Sequence, residues 1–164
     1  MSLAKQLSAE LKQESVNTKK ILERVPNDKL TWQPHEKSMT LGRLAYHIAE
    51  IPSWISRAIE NDEYDFMTSP QKRIIPEATQ QILEEYEKTW PKAIQLLENT
   101  TDEFLSTNWK LRRGEMIIAD APRRFFIRNF GLNHLIHHRG QLSVYLRLLD
   151  VPVPGMYGPT ADER

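Results

Sequence analysis

The chain contains no cysteine. That absence excludes disulfides, thiolate-bound zinc, iron–sulfur clusters and any thiol nucleophile of the protein's own. Thiol chemistry, if present, must use a thiol that the substrate brings. No apolar run approaches the ~18 residues of a membrane-spanning helix. The opening residues, MSLAKQLSAELKQES, lack the apolar block and small-residue cleavage site of a secretory signal, so the expected location is cytoplasmic. An excess of one charge is also missing: 22 Lys+Arg stand against 22 Asp+Glu. A net charge of zero argues against nucleic-acid binding, which draws on an electrostatic surplus. Neither internal repeats nor low-complexity tracts occur.

What is present is ordinary globular composition, with 40% hydrophobic and 27% charged residues in 164 positions. This length suits one domain, residues 1–164, with a core that needs no covalent staples. The charge is unevenly placed. Residues 110–147 hold eight basic side chains and only Glu115 and Asp120 as acids. A basic last third against an acidic body reads as inter-helix charge complementarity or as a site for an anionic ligand.

Four helical stretches are predicted from apolar periodicity. The first covers about 2–24, with Leu3, Leu7, Leu11, Thr18 and Leu22 at helical spacing, and ends before Pro26. A long, proline-punctuated connection containing Trp32 follows. The second runs from an N-cap at Thr40 to about Glu60 and is bent by Pro52. The third covers about 77–98 with an internal Pro91, and Thr100–Ile118 is turn-like, with a short hairpin around Arg113-Gly114. The fourth extends from about Asp120 to Asp150, with Pro122 in its first turn, before a Pro- and Gly-rich tail that is not helical. The expected fold class is therefore all-α, a four-helix bundle.

The five histidines carry the chemistry: His35, His47, His134, His137 and His138. Advancing ~100° per residue places His134, Leu142, Tyr145 and Leu149 within roughly 40° of His138. Ile127 and Gly131 fall on the same stripe, while Ile136 and Leu132 are assigned outward. His137 lies at the stripe's edge, so the inward pair is His134 and His138. His47 shares a face with Leu44, Ile51, Trp54 and Ala58 and points inward as well. Two imidazoles at i and i+4 can bind one ion, since their Cβ atoms lie about 5–6 Å apart. Three buried imidazoles without partners are costly, and a single divalent metal on His47, His134 and His138 satisfies all three. The competing reading is three ordinary core histidines, each bonded to a carbonyl or carboxylate.

Glu50, three residues after His47, is read either as an orienter or general base at this site or as an ion-pair partner of Arg43 or Arg57. It is the single inward carboxylate, which favours one metal over two. Gln141 and Tyr145 continue the stripe; either is a candidate hydrogen-bond partner of a metal-bound water or a ligand, with core packing the favoured reading for Tyr145. Arg139 is assigned to an interface or an inter-helix salt bridge, Trp54 to the core and His35 to the surface.

The blocks LGRLAYHIAEIPSW (41–54), NHLIHHRGQLSVYLR (133–147) and VPVPGMYGPTADE (151–163) resemble the DinB family, part of the wider DinB/YfiT-like superfamily of metalloenzymes. The resemblance spans nearly the whole chain. It implies a four-helix bundle, a homodimer, and zinc or nickel on the three histidines at positions 47, 134 and 138. It further implies metal activation of a low-molecular-weight thiol, as in the family's thiol S-transferases and a thiol-dependent isomerase; the open metal positions would equally serve a small-molecule hydrolase that activates water. A non-catalytic, damage- or stress-inducible metal-binding protein is the alternative.

Overall fold

The computed structural model describes residues 2–70 and 72–163; Met1 and Arg164, the last residue of the tail, lie outside the described residues. Helix α1 (Leu3–Leu22) starts where the Ser2 hydroxyl accepts from the Lys5 N–H at 3.4 Å. Two more of its free N–H groups, those of Leu3 and Ala4, donate to the Asp102 carboxylate at 2.9 Å each. That carboxylate, 98 residues away, ties the chain's beginning to its middle. Leu7, Leu11, Ile21 and Leu22 on its inner face are fully buried.

Proline divides the second helical stretch in two. Helix α2 (Leu41–Glu50) begins at Thr40, whose hydroxyl accepts from the Arg43 N–H at 3.2 Å. Pro52 cannot donate, so the helix restarts as α3 (Ser53–Glu60). Helix α4 (Thr79–Glu98) keeps Pro91 within it and packs against α1, α2 and α3. The connection after α1 is held by Trp32, which meets Tyr145 edge-on at 5.5 Å between ring centroids.

The expectation of an all-α four-helix bundle is corrected here, because the fold is mixed. Strand β1 (Glu63–Asp65) pairs in parallel with β2 (Asn108–Arg113), which pairs antiparallel with β3 (Met116–Pro122). A short helix, α5 (Asp102–Ser106), leads into β2. Trp109 and Leu111 alternate inward along β2 and anchor the sheet to the core. The hairpin expected near Arg113-Gly114 is real but longer than a turn; Gly114 takes φ +57°, a left-handed value that glycine adopts without strain. Pairing β1 with β2 joins residues more than 40 positions apart, which local periodicity cannot register.

The last helical stretch is corrected at its start and in its interior. Residues Asp120–Pro122 belong to β3, so the helix begins with α6 (Arg123–Phe126). A π-helical turn, Ile127–Asn133, then delivers the chain into α7 (His134–Leu148). The His134 N–H reaches back to the Asn129 carbonyl five residues earlier. Arg123 anchors the entry by donating to the carbonyls of Ala58 and Asn61 at 2.6 Å each, which caps the end of α3. Gly131 is required where the turn crosses α3: a Cβ there would sit 2.7 Å from the Ile55 side chain. Leu132, assigned outward on an ideal wheel, is fully buried because the wider turn shifts the phase.

The tail folds back over α1 and α7, and its single helical feature is a 3-10 turn at Ala161–Glu163. No helix among the described residues is long and apolar enough to cross a membrane.

Candidate metal centre

The fold brings α2 and α7 side by side and sets His47 against His134 and His138. The ligand-type nitrogens of these three lie within 4.8 Å of one another. The Nε2 atoms of His47 and His134 are 3.3 Å apart, and those of His134 and His138 are 2.7 Å apart. Two imidazoles at about 2.0–2.1 Å from one tetrahedral ion would have nitrogens about 3.3 Å apart, so this spacing accommodates an ion with little movement.

The opposite ring nitrogens explain the orientation. The Nδ1 of His47 is 2.9 Å from Glu50 Oε1, and the Nδ1 of His138 is 2.7 Å from Gln141 Oε1. A carboxylate and an amide oxygen can only accept, so each Nδ1 carries the hydrogen and each Nε2 presents a lone pair. Helical spacing makes both contacts local, since each acceptor lies three residues after its histidine. The Nδ1 of His134 is buried without a well-formed hydrogen bond, and the Phe130 backbone acts on this ring only weakly.

Electrostatics favours the neutral rings that a cation requires. Burial, reinforced by His47 and His134 and only partly opposed by the Gln141 hydrogen bond, lowers His138 to about 4. Burial and the neighbouring His47 hold His134 below its ordinary value, against a smaller opposing effect of the Phe130 carbonyl. Glu50 stays below the usual carboxylate range: burial pushes it up, but hydrogen bonds from His47 and Arg43 outweigh that. Arg43 Nη2 donates to Glu50 Oε1 at 2.5 Å and lies 3.4 Å from His47 Nδ1.

Family membership can be tested against the whole chain. The model of the DinB family matches residues 1–164. The chain belongs to the DinB family. A related protein, the uncharacterised YrdA of Bacillus subtilis strain 168, is 28% identical over 147 residues, which cover 89% of this chain and 83% of YrdA. A DinB-like protein from Bacillus cereus ATCC 10987 superposes with a TM-score of 0.70 at 26% identity, covering 92% of this chain and 95% of its own. A second DinB-like structure, YjoA of B. subtilis, gives 0.69 at 20% identity over 90% and 96% of the two chains, and speaks for the fold.

Within this DinB fold, the residues singled out from sequence separate cleanly. His47, His134 and His138 converge; His35 is exposed, and His137 is exposed with its ring 4.9 Å from that of His138. Gln141 was expected to face a ligand or water and instead bonds His138. Tyr145 donates to the Met39 carbonyl at 3.3 Å and packs on Trp32. Trp54 is buried, and Arg139 bridges to α1. Arg43 was weighed only as an ion-pair partner, whereas it completes a line of Arg43, His47 and Glu50 on one face of α2. Its i, i+4, i+7 spacing was the available signal.

Proposed function

We propose that this protein is a metal-dependent enzyme that holds one divalent ion, zinc or nickel, on Nε2 of His47, His134 and His138. The observation that carries this reading is the convergence of three imidazoles, two of which, His47 and His138, have their outward nitrogens held by Glu50 and Gln141. Outward hydrogen bonds of this kind fix the tautomer and the ring angle of a metal-binding histidine. Glu50 is itself restrained by Arg43, so it orients His47 rather than competing as a ligand.

Three protein donors make up the group, which favours a catalytic over a structural role, because structural zinc closes its shell with a fourth protein ligand. When bound, such an ion lowers the pKa of a water toward ~7 or holds a small thiol as its thiolate. The chain's own part is to keep His134 and His138 neutral by burial, to aim His47 and His138 through Glu50 and Gln141, and to supply no thiol that would occupy the ion. A small molecule bearing its own thiol, or attacked by water, is the substrate class this arrangement suits: thiol S-transfer or hydrolysis. The homodimer that the resemblance implies is retained as part of this reading.

Elemental analysis of untagged protein tests it. About one equivalent of zinc or nickel per chain is expected, absent from His47→Ala and His138→Ala. No metal in the wild type after incubation with either ion would return the histidines to the core. Once loaded, the protein is screened with small thiols and electrophiles; a loaded protein without turnover would favour the non-catalytic metal-binding reading.

A further inference from the structure

Arg57 was weighed from sequence as a partner for Glu50, and the structure gives that carboxylate to Arg43 instead. Arg57, half-buried on α3, lines a cleft of about 540 Å³ together with Tyr46, Glu50, Tyr64, Glu85 and Lys88. None of the three histidines lines it. The Arg57 guanidinium carbon sits 4.7 Å from the Trp54 ring centroid and 5.0 Å from that of Tyr64. Two aromatic rings thus hold the guanidinium plane, while its Nη1 is buried with no hydrogen-bond partner. Among the described residues no carboxylate forms an ion pair with it.

The other charges of this cleft are already committed. Glu50 is paired with Arg43, and Glu63 and Asp65 are paired with Arg112 at 2.5 and 2.8 Å. Glu85 accepts from the Tyr46 hydroxyl at 3.2 Å and lies 3.4 Å from Lys88. Glu63 and Asp65 share one guanidinium, and among the described residues the charged groups facing the cleft with no ion pair are Arg57, stacked and half-buried, and Lys72, exposed. A planar, pre-oriented guanidinium with an unmet donor at Nη1 is matched to a carboxylate, and little side-chain entropy is lost on binding. A phosphate dianion suits the cleft less well, because Glu50, Glu63, Asp65 and Glu85 would repel its second charge. The aromatic and aliphatic surfaces of Tyr46, Tyr64 and Ile74 provide a wall for an apolar body.

We propose that this cleft is a binding site for a small monocarboxylate, recognised by Arg57 and packed against Tyr46 and Tyr64. Its recognition residues, Arg57, Tyr46 and Tyr64, are not those of the three-histidine group, and Glu50, which borders both, is already committed to Arg43 and His47, so the test needs no metal. The test is a titration of the ¹⁵N-labelled full chain with sodium benzoate, benzamide and inorganic phosphate, following the Trp54 indole and Arg57 side-chain N–H signals. Benzoate should saturate, and benzamide, which keeps the shape and lacks the charge, should bind roughly tenfold more weakly or worse. Phosphate should be similarly weak, and Arg57→Met should weaken benzoate by roughly tenfold or more. Equal binding of benzoate and benzamide, tighter binding of phosphate, no saturation at tens of millimolar, or an unchanged Arg57→Met variant would each overturn the proposal. Should Arg57→Met lose its folded spectrum, the benzoate–benzamide contrast in the wild type decides alone.

Discussion

His138 and Arg139 are neighbours in sequence, yet they build two opposite kinds of buried polar cluster on two sides of α7. Arg139 is 2% exposed, and its guanidinium donates to the Glu14 carboxylate, the Tyr157 hydroxyl, the Thr18 hydroxyl at 3.0 Å and the Glu14 carbonyl at 3.2 Å. Tyr157 in turn donates to Glu14 at 3.0 Å. Every charge there finds its counterpart inside the protein, so the cluster joins α1, α7 and the tail and asks for nothing more. The histidine cluster is arranged the other way. The Nε2 atoms of the three rings converge, those of His47 and His138 with their lone pairs inward, and the remaining nitrogens of these two are already bonded. Buried polar atoms that repel one another are costly unless a shared cation compensates. One cluster is complete in itself; the other has the arrangement that a shared cation would complete.

The contrast breaks most sharply at position 138. His138→Ala should reduce bound zinc or nickel from about one equivalent to none, and added zinc should then no longer raise Tm. Arg139→Met should do the reverse, leaving metal content per folded chain unchanged. It strands the Glu14 carboxylate in the interior, a change that costs about 3–5 kcal/mol and is read from urea unfolding. A destabilised Arg139→Met that had also lost its metal would show that the two clusters are not independent. Smaller effects sharpen the picture. Glu50→Gln or Gln141→Ala should weaken zinc affinity roughly 10–100-fold without abolishing binding, as competition with a chelator would report. Tyr157→Phe removes a partly exposed hydrogen bond and should cost under about 1 kcal/mol, with metal affinity untouched.

The smallest effect lies outside both clusters and serves as their common control. Two backbone N–H groups, of Ala4 and Leu3, hold the Asp102 carboxyl below its ordinary 3.8. A lowered folded pKa gives stability that is fully present above about pH 4 and is lost as pH falls from there through the lower folded value. Asp102→Asn should therefore be less stable than wild type at neutral pH, and the two should converge in acid, in denaturant titrations at several pH values.

These clusters also measure what the sequence could reveal. His47 was legible because it sits within the strongly amphipathic α2, and His134 with His138 because the four-residue step between them lies wholly within α7, after the π-helical turn. Arg139 was legible as an inter-helix bridge for the same reason, though the depth of its burial depends on a tail residue, Tyr157, 18 positions later. The sheet was not legible. β1 has three residues, β2 offers only Trp109 and Leu111 as an alternating pair, and their parallel pairing is a long-range event. Leu132 was misassigned because the π-helical turn adds a residue that no wheel of ~100° steps includes. Gln141 lay on the correct face, but its side chain turns back to His138, a choice made by rotamer and not by period.

That turn has a consequence for how the centre can be gained or lost. One residue more or fewer between Ile127 and Asn133 rotates everything after it by about 100°, while Arg123 keeps the start of the helix clamped to α3. His134 and His138 are thus keyed to α2 by the length of a seven-residue segment as much as by their own identity. A single deletion there, with every histidine still in place, would swing both rings away from His47. Among relatives, alignment gaps at this segment are therefore as informative about metal binding as substitutions at the histidines themselves.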